Sequence, residues 1–117
     1  MSFSLCFLHL SMTLNQCVMP YTIQDNPVGT GYSYVEDSDL YVKTDEEAAT
    51  DLTTLLAELF NNDVNLQKSP LFIVAESYGG KFAVALALSA LKAIQQGTLK
   101  VILGGICSFH INIIQDK

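Results

Sequence analysis

The chain has 117 residues, 50% hydrophobic and 15% charged, and its twelve acids against six lysines, with no arginine, leave a net charge of −6. That length and apolar content fit one globular domain or part of one and exclude disorder for most of the chain. An acidic chain without arginine offers phosphates neither bidentate forks nor a basic stripe, which excludes nucleic acid as a partner, and no stretch reaches the roughly 20 consecutive apolar residues of a transmembrane segment.

The opening Met1 to Met19 has an apolar centre of Phe3, Leu5, Phe7, Leu8 and Leu10, interrupted by His9, Ser11 and Thr13. It resembles the core of a signal peptide but lacks the basic residue that normally precedes one, so a strand or a divergent leader is the better reading. Cys6, Cys17 and Cys107 form no Cys-x-x-Cys pair and have no histidine at zinc-finger spacing, and no metal site is expected. Asp25 to Ser38 is a loop: one proline, two glycines and side chains that bond their own backbone make turns with positive φ.

Thr44 and Glu47 then form a capping box, each side chain satisfying a backbone N–H of the other. The helix it starts places Ala49, Leu52, Leu55, Leu56, Leu59 and Phe60 at helical spacing and ends near Asn61 and Asn62. After Pro70, Leu71 to Ala75 has the length and flanks of a strand buried on both faces, which implies a parallel sheet. Lys81 to Gln96 is helical, with Phe82, Leu86, Ile94 and several alanines toward a core, and Gly97 stands where a left-handed C-cap is wanted. Leu99 to Leu103 is again a strand. Strand, tight turn, helix and strand make a βαβ unit, so the fold class is α/β.

Between that first strand and its helix lies Ala75-Glu76-Ser77-Tyr78-Gly79-Gly80, a near match to the nucleophile elbow G-x-S-x-G. The elbow turns a strand into a helix so sharply that the serine is strained and exposed, and the residues two positions away must be small. Ala75 replaces the first glycine and adds one methyl; Gly79 keeps the second. The backbone N–H of Tyr78, at the helix start, would face a developing oxyanion. A serine in this setting can also be only a helix cap, and the pattern by itself leaves both readings open.

Glu76-Ser77-Tyr78-Gly79-Gly80 after an apolar strand, with Asp25-Asn26-Pro27-Val28-Gly29-Thr30-Gly31-Tyr32-Ser33 about fifty residues earlier, resembles the serine carboxypeptidases of the α/β-hydrolase superfamily. The resemblance covers about Ile23 to Gly105 and is nearest to the branch of the retinoid-inducible and plant carboxypeptidase-like members. It implies a partial α/β-hydrolase domain at 23–105, with a divergent leader at 1–22 and a divergent tail at 106–117. Ser77 would be the acylating nucleophile, Tyr78 N–H one oxyanion donor, and Glu76 the group that recognises the substrate's terminal carboxylate. That last role needs Glu76 protonated, because adjacent carboxylates repel, and so implies activity best in acid. Glu76 could instead hydrogen-bond the backbone of the 25–33 loop. That loop is expected to be framework near the substrate, and its Gly29-x-Gly31 lacks the third glycine and following helix of a dinucleotide fingerprint, so no cofactor is expected.

The family's chemistry is hydrolysis of a peptide or small ester through an acyl-enzyme; plant relatives use the same parts to transfer the acyl group to another alcohol. By resemblance the protein belongs to the secretory pathway, extracellular or vacuolar/lysosomal. The triad order of such hydrolases is Ser, then Asp or Glu, then His. Here His110 is the only histidine after Ser77, no acid lies between them, and the next acid is Asp116. The reverse order, with His9 as base, conflicts with a strand-to-helix serine. The family's Asn-Gly-Gly-Pro-Gly segment, source of a second oxyanion N–H, is missing as well. An incomplete and inactive chain is therefore expected, or a non-catalytic isoform acting through a partner.

Overall fold

The computed structural model describes residues 24–108 with their side chains, and the backbone alone at 4–9, 11–13, 16–18, 21–23 and 109. Four short strands come first: β1 (Ser4–His9), β2 (Ser11–Thr13), β3 (Gln16–Val18) and β4 (Tyr21–Asp25). Then follow α1 (Asp45–Asn61), α2 (Val64–Gln67), β5 (Pro70–Glu76), α3 (Gly79–Gln95) and β6 (Ile102–Phe109). β2 and β3 pair as a separate ribbon, and the main sheet has the order β4-β1-β5-β6.

β5, α3 and β6 form the expected βαβ unit, with β5 and β6 parallel. The rest of the sheet is not parallel, because β1 runs antiparallel to both β4 and β5. Its connection to β4 is too short to hold a crossover of a dozen or more residues, which a parallel neighbour requires. The result is an α/β architecture on a mixed sheet, and the leader region contributes a strand to it.

α1 begins as its capping box dictates: Glu47 N–H donates to Thr44 Oγ1 (3.1 Å), and Glu47 Oε2 accepts from the N–H of Thr44 (3.2 Å) and of Lys43 (2.6 Å). Ala48, Ala49, Leu52, Leu56 and Phe60 are buried, whereas Leu55 and Leu59 are exposed on the neighbouring flank, which no described element covers. At the other end of α3, Gly97 takes φ +75°, and Thr98 N–H reaches Ala93 O while Gly97 N–H reaches Ile94 O, at 2.9 and 3.0 Å. These are the two bonds of a Schellman cap. α3 starts at Gly79, two residues before the expected Lys81, so both elbow glycines belong to the helix.

Burial alternates along β5. Leu71, Ile73 and Ala75 are buried among residues of α1 and α3, but Phe72 and Val74 opposite are only half-buried, so one face of the strand is covered rather than two. Both helices pack on that one side, and the period of two in a strand turns the other set away from them. The second strand lies further along than Leu99–Leu103. Gly104 and Gly105 interrupt the sequence signal, since glycine disfavours strands, yet they sit inside β6, which pairs with β5 through them, with the Phe72 ring beside them. A Cβ on Gly104 would come 2.8 Å from that ring.

Candidate functional site

Ser77 lies between the last residue of β5 and the first turn of α3, and its φ of +53° is the only positive φ of a non-glycine residue among those described. An L-residue held there stores about 1–3 kcal/mol of strain, which the surrounding strand and helix must impose. Gly80 N–H donates to Ser77 O (3.1 Å) and Lys81 N–H to Tyr78 O (3.0 Å), so the helix closes directly behind the serine. Ser77, Glu76 and Tyr78 are exposed, while Ala75, Gly79 and Gly80 are buried. The turn therefore holds the serine out and packs its small flanks inward.

The tightest approach behind the elbow is at Gly80, where an added Cβ would fall 2.3 Å from Ser108 Oγ on β6. The elbow pattern draws attention to Gly79; the role of Gly80 is signalled only by the doubling of the glycine. The Glu76 side chain makes no hydrogen bond among the described residues and is exposed, so neither burial nor a bond to the 25–33 loop holds it in this chain.

The second motif starts where β4 ends. Tyr32 N–H donates to Asp25 Oδ2 (2.9 Å), Ser33 Oγ to Asp25 O (2.8 Å), and Gly29 N–H to Ser33 O (3.0 Å). Gly31, at φ +53°, leaves room for the Asp25 carboxylate, which occupies the place a Cβ would take. The loop is thus closed on itself by its own side chains. β4 and β5 are both antiparallel to β1, with Leu5 opposite both Gln24 and Ala75, so they run in the same direction and end at the same edge of the sheet. Two spacings of about 4.8 Å separate them. Motifs fifty residues apart in sequence leave the sheet side by side.

Other candidates fall elsewhere. The backbone of His9 pairs with Leu71, five residues and about 17 Å down β5 from Glu76 at the Ser77 end, which gives no support to a base at His9. His110 and Asp116 lie outside the described residues, as do the side chains of Cys6 and Cys17; Cys107 is a free, exposed thiol. Among the described residues no helix is long and apolar enough to cross a membrane.

One charged group stands beside the elbow. Lys81 Nζ lies 2.6 Å from Asp45 Oδ2, donates to Tyr78 Oη at 3.3 Å and sits 5.5 Å from the Tyr78 ring centre, whose edge meets Phe82. The Asp45 carboxylate first, and the Tyr78 hydroxyl second, hold the Lys81 ammonium above its ordinary value. A lysine raised in the folded state adds stability that is full below its unfolded value and is lost as pH climbs through the folded one. The group is exposed, so the effect on stability is slight. Asp45→Asn is expected to lower the Lys81 midpoint in a side-chain NMR titration.

The family model described as serine carboxypeptidase matches residues 23–108, three residues beyond the sequence resemblance. Serine carboxypeptidase-like 51 of Arabidopsis thaliana is 64% identical over 84 residues, 70% of this chain and 18% of that protein. The retinoid-inducible serine carboxypeptidase of Homo sapiens is 45% identical over 82 residues, again 70% of this chain and 18% of the relative. The venom serine carboxypeptidase of Apis mellifera is 38% identical over 63 residues, 54% of this chain and 14% of the relative. This chain thus spans less than a fifth of the length of these relatives. No solved structure gives a significant match.

Proposed function

The chain belongs to the serine carboxypeptidase family, and from that premise we propose that it carries the nucleophile portion of a serine-type carboxypeptidase site, with Ser77 as the acylating residue. The observation that carries this reading is the left-handed Ser77 between β5 and α3. In the reaction, Ser77 Oγ attacks the carbonyl of the last peptide bond while a base takes its proton. The tetrahedral oxyanion is met by Tyr78 N–H at the positive end of α3, and expulsion of the C-terminal residue leaves an ester on Ser77, which water then cleaves. Glu76, next to the serine, is assigned by the family resemblance to recognition of the departing residue's carboxylate. No metal or cofactor enters these steps, and a peptide or small ester is the substrate.

The 117-residue chain supplies the nucleophile and one oxyanion donor; the base, its orienting acid and the second donor have to come from elsewhere. The family reading also assigns the protein to the secretory pathway. A chimera tests the proposal. With residues 23–108 replacing the matching segment of the human retinoid-inducible relative, peptide release or ester cleavage is expected to persist, and Ser77→Ala is expected to reduce it by about four orders of magnitude or more. Equal rates for the chimera and its Ser77→Ala variant would overturn the assignment.

A further inference from the structure

α1 is tied to α3 and to the turn that follows it by polar contacts at regular intervals. Beside the elbow, Lys81 Nζ pairs with Asp45 in the first turn of α1 (2.6 Å). In the middle, Thr53 Oγ1 is hydrogen-bonded to Ser89 Oγ (2.8 Å), 36 positions on, and to Ala49 O one turn back (2.7 Å). At the far end, Asn61 Nδ2 donates to Thr98 O (2.8 Å), 37 positions on, and Asn61 Oδ1 accepts from Lys100 N–H (2.9 Å). The near-constant separation in sequence means that the two helices run in the same direction, both starting at the Ser77 end. Asp45, Thr53 and Asn61 follow one another at eight-residue steps, each about 12 Å along the axis and roughly 80° beyond two full turns. The outer contacts therefore lie on opposite flanks of the middle one, and together they oppose rolling as well as sliding. The residues one turn either side of the middle contact are all alanine: Ala49 and Ala57 on α1, Ala85 and Ala93 on α3. Methyl groups let helices approach but offer no ridge to lock into a groove, which leaves register to the polar contacts. α3 closes directly behind Ser77, Gly80 N–H donating to Ser77 O (3.1 Å), so where α3 sits decides where the serine and Tyr78 N–H sit.

We propose that Thr53, Ser89 and Asn61, with the Asp45–Lys81 pair, are positioning residues for Ser77, holding α3 at a single register on α1. The effect on rate rests on the reading of Ser77 as nucleophile; the effect on structure does not. A displacement of 1 Å at a reacting group costs about 10²-fold in rate. Loosening two of the three contacts, for a shift of about half an ångström, is therefore expected to cost about tenfold, mainly in kcat.

The test combines Ser89→Ala with Asn61→Ala. Ser89→Ala leaves Thr53 bonded to Ala49 O, so no donor is orphaned, and alanine is the better helix former. Glu58→Gly is the control: an exposed position of α1 outside these contacts, where glycine weakens the helix. In the isotope-labelled 117-residue chain, the backbone amide signals of Tyr78 and Gly79 are expected to move in the double variant and to stay in place in Glu58→Gly. In the chimera carrying residues 23–108, the double variant is expected to lose about tenfold in kcat, while Glu58→Gly and Thr53→Ser, which keeps the hydroxyl, retain the parent value. The proposal is overturned if the Tyr78 and Gly79 signals do not move in the double variant, or move equally in Glu58→Gly. Parental kcat in a double variant whose chimera turns over through Ser77 would overturn it too. A chimera without Ser77-dependent turnover would instead remove the nucleophile assignment, and the amide signals alone then decide the register.

Discussion

A fluorophosphonate probe is expected to leave the purified 117-residue chain unlabelled at Ser77. The probe reads nucleophilicity, and an alcohol at neutral pH acquires it only when a base removes its proton as the bond forms. The elbow exposes Ser77, but exposure is not activation. No acid separates Ser77 from His110 in sequence, and the His9 backbone pairs at the far end of β5, so neither histidine fits the Ser, acid, His order expected of the triad. Loss of triad members costs roughly 10⁴-fold or more, and the single donor at Tyr78 recovers little of that. A longer protein that also carries an acid, a histidine and a glycine-rich segment in the family's order is expected to label at Ser77 and to lose the label in Ser77→Ala. Strong labelling of the 117-residue chain would show that it holds a base of its own.

The largest effect on stability is expected from Leu86→Ala. Leu86 is 0% exposed, at the centre of a core made with Leu56, Leu71 and Ile73. Truncating such a side chain costs about 2–5 kcal/mol, through lost burial and the cavity it leaves. Whole domains are stable by only about 5–15 kcal/mol, so the variant should lose most of the hydrogen-exchange protection of α3. Two residues along the same helix, Leu88 is 57% exposed. Leu88→Gln should stay within about 0.5 kcal/mol of the parent, because glutamine is nearly as good a helix former. Equal loss of protection in both variants would mean that the side of α3 bearing Leu88 is covered and that the helix does not sit as described.

Local features of the fold are legible in the amino-acid sequence. Thr44 with Glu47 marks where α1 begins, because a capping box is a local pattern with a local cause, and Gly97 marks the end of α3 for the same reason. The elbow at Ser77 is legible through its small neighbours. What the sequence hides depends on contacts between elements. Gly104 and Gly105 read as a strand end, and only the pairing of β6 with β5, with the Phe72 ring beside the glycines, accounts for a strand running through. Leu55 and Leu59 fit the helical spacing of a core stripe, yet which flank of α1 is covered depends on where α3 lies. The direction of β1 is hidden as well, since apolar strands look alike whether they pair parallel or antiparallel. For the site, residue types are readable, but the shared edge of β4 and β5 that brings the two motifs together needs the register.

The antiparallel β1 between β4 and β5 also sets an order of assembly. Leu5 pairs with Gln24, nineteen positions away, and with Ala75, seventy positions away. Closing the longer loop costs about 1 kcal/mol more in chain entropy than closing the shorter one, and distant pairings delay folding. The N-terminal strands can thus meet early, while β5, α3 and β6 form their own local unit. The docking of these two halves along β1 is expected to come last. The Ser77 turn is then expected to be complete before β4 and its loop reach the same edge of the sheet, and mutations at the β1–β5 seam should slow folding without altering the turn itself.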